Sequence, residues 1–445
     1  MRVLLINPSW DGLVSGHGRR YNRAWPPLDL LNCAGLLEED GHRVELIDAR
    51  ASWLSPQALG QKAQSFDRVF ITSSPIDRWQ CPNLDFQPFL DTVGCLPPDR
   101  THILGAHGTL LPETVLRQTR ARCVVLGEPE RTVQELCRAE SLAEVSGIAF
   151  LEEGVLRRTV AREPLDVNRL PVPAYHLADL NRYSYELLGR RFVLLEGSRG
   201  CPWSCHFCLL EMYGRCYRKR EPGLVLRDLE TAVEKHGARS GYFIDLEFTV
   251  HRALVEELCA FLIRKRYDFR WTCQTRLDTV EPEMLEKMKK AGCGLIHYGV
   301  ESGSPRVLES INKRITLNRI REGMEMTRKA GIETACFFMF GFPGETDRDR
   351  RQTIEVARQL NPTYASFHMA APYPGTHLHR LQEEEAGLPF SECFRQVGTS
   401  QELRQVTRRA LKQFYLRPGY ILDRLVHGNP SSWYRQARLF WNFLR

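Results

Sequence analysis

The chain has 445 residues, 43% hydrophobic and 26% charged, a length beyond one ordinary domain and a composition that excludes a disordered or low-complexity protein. Its formal charge of +7 is small for that length and does not mark a nucleic-acid binder. No run of about 18 or more apolar residues marks a membrane span, and the opening MRVLLINPSW turns polar too soon for a signal peptide, so a cytoplasmic location is expected.

Residues 1–140 alternate short apolar runs, at 2–6, 43–48, 67–74, 101–105 and 123–127, with helical candidates near 28–40, 56–65, 84–93, 112–119 and 130–138. That alternation predicts a doubly wound parallel sheet, Rossmann-like in outline, in which ligands sit beyond the carboxyl ends of the strands. Small and polar residues stand there: Asn7-Pro8-Ser9, Thr72-Ser73-Ser74, Gly105 to Thr109 with His107 between them, and Gly127-Glu128-Pro129-Glu130. They form a candidate pocket, although glycine and serine also simply turn tight loops.

Residues 141–190 read as a connector, with a hairpin in SGIAFLEEGVLRRT followed by a stretch whose prolines 164, 171 and 173 discourage a long helix. Over 191–385 the alternation resumes, with strand candidates in RFVLLEG, GYFIDLE, FRWTCQT, GLIHYGVE, ETACFFMFG and TYASFHM. Six β/α units predict a partial (β/α)6 barrel with its active site at the carboxyl ends of the strands. Residues 386–445 form a helical, basic C-terminal region; the last 45 residues carry nine Lys and Arg against two acids.

The segment GSRGCPWSCHFCLLE places Cys201, Cys205 and Cys208 directly after the first barrel strand. Three thiolates on a short glycine-led loop can turn toward one metal centre. Zinc, with His206 as a further ligand, is one occupant; a four-iron four-sulfur (4Fe-4S) cluster with one iron left open is another. Of the 14 cysteines, Cys216, Cys259, Cys273, Cys293 and Cys336 read as ordinary or buried ones.

The triplet C-x3-C-x2-C after a first barrel strand, with Phe207 before the last cysteine, resembles the radical S-adenosylmethionine (SAM) enzymes. That resemblance implies a 4Fe-4S cluster on Cys201, Cys205 and Cys208, whose open iron chelates SAM. It also implies SAM contacts from Asp245 in GYFIDLE, Arg276 in TCQTRLD, Glu301 in YGVESG and Gly341 in FFMFGFPGET. Upstream, INPSWDG, WPPLDLLNCAGLLEEDGHRVELIDA, ILGAHGTLLPETVL and VVLGEPERTVQEL resemble the cobalamin-binding domain fused to one subfamily of these enzymes. Cobalamin contacts are implied at Gly105, His107, Thr109, Gly127 and Glu128. The D-x-H-x-x-G element is absent, so no histidine is expected on cobalt, and GAHGT is a shorter form of the usual loop.

The resemblance implies an oxygen-sensitive C-methyltransferase acting on an unactivated carbon through a 5'-deoxyadenosyl radical, with flavodoxin or ferredoxin as electron donor. The same architecture serves anaerobic ring-forming enzymes, so cyclisation or oxidation without methyl transfer is the alternative; a zinc-stabilised binding module is a more distant one. An RNA methylthiotransferase would carry a second cysteine triplet, which Cys33, Cys81, Cys95 and Cys123 do not form. The aromatic and arginine-rich tail leans toward a small, apolar or polycyclic substrate such as a lipid or tetrapyrrole precursor, or peripheral membrane contact, while a helix packed on the barrel is the plainer reading.

Overall fold

The computed structural model describes residues 1–9, 24–83, 85–380 and 401–427. The segment Arg2–Asn7 forms β1, followed by β2 (Arg43–Asp48), β3 (Arg68–Thr72), β4 (Thr101–Leu104) and β5 (Cys123–Val125). The strand order is β2-β1-β3-β4-β5, all parallel. Alternate residues of β1 bury on opposite faces: Leu4 and Ile6 join one core, Val3 and Leu5 the other. A strand covered on both sides needs such a continuous apolar run. The order reverses between β1 and β3, which makes the crest above them the natural ligand crevice.

The hairpin read as part of the connector instead belongs to this sheet. Its strands, β6 (Ile148–Glu152) and β7 (Val155–Arg158), pair antiparallel, and β6 pairs antiparallel with β5. The first sheet is therefore mixed and seven-stranded. A hairpin's alternation is visible locally, but the strand it docks on is not.

The segment after it staples the two halves of the molecule together. Tyr175 donates to the Leu194 carbonyl at 3.2 Å, and Tyr183 to Asp48 Oδ2 at 3.0 Å. Gly35 is forced by the same packing, since a Cβ there would lie 2.9 Å from Pro171.

The second sheet contains β8 (Phe192–Leu195), β9 (Ser240–Phe243), β10 (Arg270–Thr275), β11 (Cys293–Glu301), β12 (Glu333–Phe340) and β13 (Tyr364–Met369), in sequence order and all parallel. This is the expected partial barrel. Ile244, Gln274, Gly299, Phe337, Met339 and Ser366, alternating with buried neighbours, are only half-buried, so the inward face borders a hollow.

The helices Gln401–Tyr415 and Pro418–His427 pack on the last strand. Phe414 is buried against Phe367, with ring centroids 6.3 Å apart, a burial of about 1.5–3 kcal/mol. Tyr415 Oη receives the Ala365 N–H and donates to the Ala365 carbonyl, and Tyr420 donates to the Thr363 carbonyl. Phe414, Tyr415 and Tyr420 thus pack on the barrel, as the plainer reading of the tail expected. The segment SSWYRQARLFWNFLR lies outside the described residues, and no helix among those described is long and apolar enough to cross a membrane.

Candidate active site

Strand β8 ends at Leu195, and the chain crosses the mouth of the barrel as the cysteine loop. Ser198–Arg199 pair antiparallel with Arg218–Lys219. Gly200 turns the chain at φ +79°, where a Cβ would lie 1.7 Å from the Cys216 carbonyl oxygen. Only glycine fits that position.

The loop itself has little regular structure and is held from outside. The His206 N–H donates to Ile311 and the Leu378 N–H to the His206 carbonyl, both at 3.0 Å. Asn312 Nδ2 reaches the Ser204 carbonyl and hydroxyl, each at 2.9 Å. Phe207 packs on Phe342 at 5.7 Å, and Trp203 lies under the Arg276 guanidinium at 4.3 Å.

Cys201, Cys205 and Cys208 are all partly open. Burial pushes the Cys201 thiol up to about 12 and raises that of Cys205. Burial and the proximity of Cys201 and Cys205 raise Cys208, so the three sulfurs share one neighbourhood. Such thiols need positive charge from an occupant before they become thiolates. His206 Nδ1 is 2.9 Å from the Ser310 carbonyl oxygen and its ring lies 4.2 Å from His377. Among the described residues no group of three or more His, Cys, Asp or Glu is gathered tightly enough for a single ion.

Asp245, Arg276, Glu301 and Gly341, the residues expected to contact SAM, each have defined partners in the protein. Asp245 receives the Gly197 N–H at 2.9 Å and the Ser198 hydroxyl at 2.5 Å, so it anchors the start of the cysteine loop. Arg276 is spread over Asp278 (2.8 and 2.7 Å) and the carbonyls of Lys313 (2.7 Å) and Arg314 (3.2 Å). Most of its donors are thus committed to positioning the loops.

Glu301 stands at φ +66° at a register shift in β11, which turns its buried carboxylate toward Lys313 Nζ at 3.0 Å. Gly299 clears their space: a Cβ would lie 2.3 Å from Glu301 Oε1 and 2.9 Å from Lys313 Nζ. Gly341, at φ +97°, packs against Leu403 and donates its N–H to Glu345 at 2.7 Å.

Asp245 provides a direct titration test. Burial lifts its carboxyl from 3.8 to about 7. Between those values the unfolded chain has released a proton that the folded chain retains, so stability falls as pH rises through this window and levels off above it. The cofactor-free Asp245→Asn variant is expected to lose less melting temperature than wild type between pH 5 and pH 8. Equal losses would show that Asp245 is already ionised in the fold.

Across from the barrel, the crest of the first sheet gathers the other candidates. Gly105, at φ +95°, passes so close to the preceding loop that a Cβ would lie 2.7 Å from the Ser74 nitrogen. Thr109 donates to the Gly105 carbonyl at 3.1 Å and accepts the Gly127 N–H at 3.0 Å, tying two loops together. His107 is buried, stacked on Phe86 at 4.6 Å and 2.8 Å from the Asn83 carbonyl oxygen through Nε2. Burial pulls it down to about 4, which leaves it neutral.

Several buried polar atoms on the crest have no protein partner: Asn7 Oδ1, Asp29 Oδ2, Ser73 Oγ, Asp77 Oδ1, and the indole nitrogens of Trp25 and Trp79. Buried atoms of this kind are costly unless a ligand or water meets them.

The Glu128 carboxylate is held by two arginines of the barrel half. It bonds Arg199 at 3.1 Å and Arg218 at 2.8 Å, and Arg199 also holds Glu196 and Glu130 at 2.9 and 2.5 Å. This buried network links the GEPE loop to a residue two positions before Cys201. Sequence reasoning missed Arg199, Trp203 and Lys313, because their burial arises from loops that meet only in the folded chain.

A cysteine-bearing first βα loop over a parallel half-barrel defines a class, and residues 195–357 match the family model described as the Radical SAM superfamily. Residues 195–357 therefore resemble a radical SAM domain, and the chain is similar in sequence to anaerobic magnesium-protoporphyrin IX cyclases.

Among particular relatives, it is 28% identical over 473 residues to an uncharacterized methyltransferase of Pyrococcus horikoshii, covering 98% of this chain and 99% of the relative. It is 27% identical over 467 residues to the anaerobic magnesium-protoporphyrin IX monomethyl ester cyclase of Rubrivivax gelatinosus, covering 100% and 80%. The solved structure of the radical SAM methyltransferase TsrM from Kitasatospora setae, with cobalamin and a [4Fe-4S] cluster bound, aligns with a TM-score of 0.71 at 20% identity, over 86% of this chain and 78% of that one. OxsB, with aqua-cobalamin and SAM bound, aligns at 0.67 and 19%, over 96% and 62%. Likeness to these two structures is one of fold.

Proposed function

We propose that the chain is a cobalamin-dependent radical SAM enzyme that transfers a methyl group to an unactivated carbon. The observation that carries this reading is the opposition of two ligand-demanding surfaces, the three-thiol loop and the partner-poor crest, locked together through Arg199. When bound, the cluster and SAM supply a 5'-deoxyadenosyl radical and cobalamin supplies a methyl carrier. Cys201, Cys205 and Cys208 would ligate the cluster. The unpaired groups of Asn7, Asp29, Ser73, Asp77, Trp25 and Trp79 suit a corrin fringed with amides, and the tight Gly105 turn keeps side-chain bulk out of its cradle.

The chain's own residues hold and shield these partners. Asp245 fixes the entry to the cysteine loop, and Arg276, over the Trp203 ring, joins that loop to the 313–314 turn. Glu301 and Gly341 stand where SAM would lie, and the half-open face around Phe337, Met339 and Ser366 would receive the substrate away from water. A flavodoxin- or ferredoxin-class protein would deliver electrons.

Cyclisation or oxidation is the second reading, favoured by the similarity to the Rubrivivax gelatinosus cyclase along the whole of this chain. The test is anaerobic reconstitution with iron, sulfide and cobalamin, addition of SAM and reductant, and mass spectrometry of the products across candidate substrates. Deoxyadenosine together with S-adenosylhomocysteine and a methylated product supports methyl transfer. A cyclised or oxidised product with deoxyadenosine alone supports the second reading. A colourless protein that binds zinc and forms neither nucleoside product rejects both.

A further inference from the structure

Lys313 is not among the SAM contacts implied by the sequence, yet its ammonium is buried beside the cysteine loop. It lies in the turn after the helix Pro305–Ser310, where Asn312 and Arg314 on either side adopt positive φ, 55° and 52°. Asn312 grips Ser204 from one side of the turn, and Arg276 grips the Lys313 and Arg314 carbonyls from the other. The Lys313 side chain is consequently turned inward, 5% exposed. Its Nζ is 3.0 Å from Glu301 Oε1 and 6.0 Å from the centre of the Phe207 ring, next to Cys208.

A buried lysine is expensive unless its charge is answered. Burial acts against the Lys313 ammonium, yet Glu301, Cys205 and Glu247 together hold its pKa above the ordinary lysine range. The neighbouring Arg276 is largely answered by its two-pronged bond to Asp278.

We propose that Lys313 is a positioning residue for electron uptake: its ammonium, held by Glu301, stabilises negative charge on the cysteine loop and sets the reduction potential of the cluster bound there. The proposal rests on the reading of Cys201, Cys205 and Cys208 as ligands of an iron-sulfur cluster. One electron passes from a flavodoxin- or ferredoxin-class donor, which is oxidised, to that cluster; no atom or proton moves. A fixed positive charge favours the state that has gained the electron.

The test uses the full-length protein, reconstituted anaerobically without SAM, with iron content measured and the reduced cluster followed by electron paramagnetic resonance during a redox titration. Lys313→Met is expected to keep its iron and to shift the midpoint downward, lowering the reduced-to-oxidised ratio at a fixed potential about tenfold, which is about 59 mV for one electron. Lys313→Arg should stay near wild type. Glu301→Gln, which leaves the ammonium unanswered, should shift the midpoint upward by a similar factor and provides the test if the methionine variant loses its cluster.

Midpoints unmoved in iron-replete Lys313→Met, or in Glu301→Gln, overturn the role of Lys313 while leaving the cluster reading intact. A wild-type chain that takes up no iron overturns the cluster reading and the role of Lys313 with it.

Discussion

Replacing Cys205 by alanine is expected to abolish deoxyadenosine formation from SAM, with a loss larger than the roughly 10–100-fold typical of residues that merely support a metal ligand. The three cysteines would be all the protein ligands such a cluster has, and the loop bearing them has little regular structure to compensate. Cys216→Ala is the matched control: its thiol lies 3.5 Å from the Tyr213 carbonyl oxygen and has no place among the three. It should retain deoxyadenosine production near the wild-type level. The measurement is mass spectrometry of anaerobic SAM cleavage together with iron content. A Cys205→Ala protein that cleaves SAM at the wild-type rate would remove the triplet from the chemistry.

Arg199→Met is expected to cost about 3–5 kcal/mol, the usual penalty for removing one partner from a buried ion network. The Arg199 side chain is completely buried, in contact with Glu128, Glu130 and Glu196 and 5.4 Å over Trp79. Methionine fills much of the volume but leaves three carboxylates facing one another, with Arg218 as the remaining close cation on Glu128. Removing a carboxylate as well, in Arg199→Met/Glu130→Leu, should recover part of the loss, because burying an unanswered charge costs more than burying apolar surface.

Calorimetry of the three proteins checks the order, with wild type highest and the single variant lowest. Cobalamin retention on gel filtration should fall in parallel, since the network fixes the crest against the barrel. A single variant that melts with wild type and retains cobalamin would show that the domains are held by other contacts.

Much of the scaffold was legible because its strands and helices are locally consistent. The helix expected near 28–40 spans Leu28–Glu39, and the β12 strand expected in ETACFFMFG spans Glu333–Phe340. The cysteine loop was legible for a different reason: three close thiols beside glycine are rare and chemically demanding. Less legible were the partners of charges. Arg276 lies where its motif placed it, but its attachment to the 313–314 carbonyls depends on a turn nearly forty residues away. Glu128 read as a candidate cobalamin contact, and nothing near it in sequence announces its ion pair with Arg199. In INKRIT, Lys313 looks like any solvated turn lysine, and only the fold buries it. The hairpin at 148–158 was legible, but its place on the first sheet was not, since its docking edge is a tertiary property.

A sheet that stops short of closing leaves a strand edge able to recruit a strand from another molecule. In this chain the edge of β13 is answered by side chains. Thr363 and Ala365, two apart, point their backbone groups to the same side; Tyr415 uses both groups of Ala365, and Tyr420 takes the carbonyl of Thr363. An incoming strand would have to displace two phenols to make its first backbone bonds. Along the start of this edge the two tyrosines occupy the backbone groups that another chain would need, so the sheet can stay open there without inviting a neighbour.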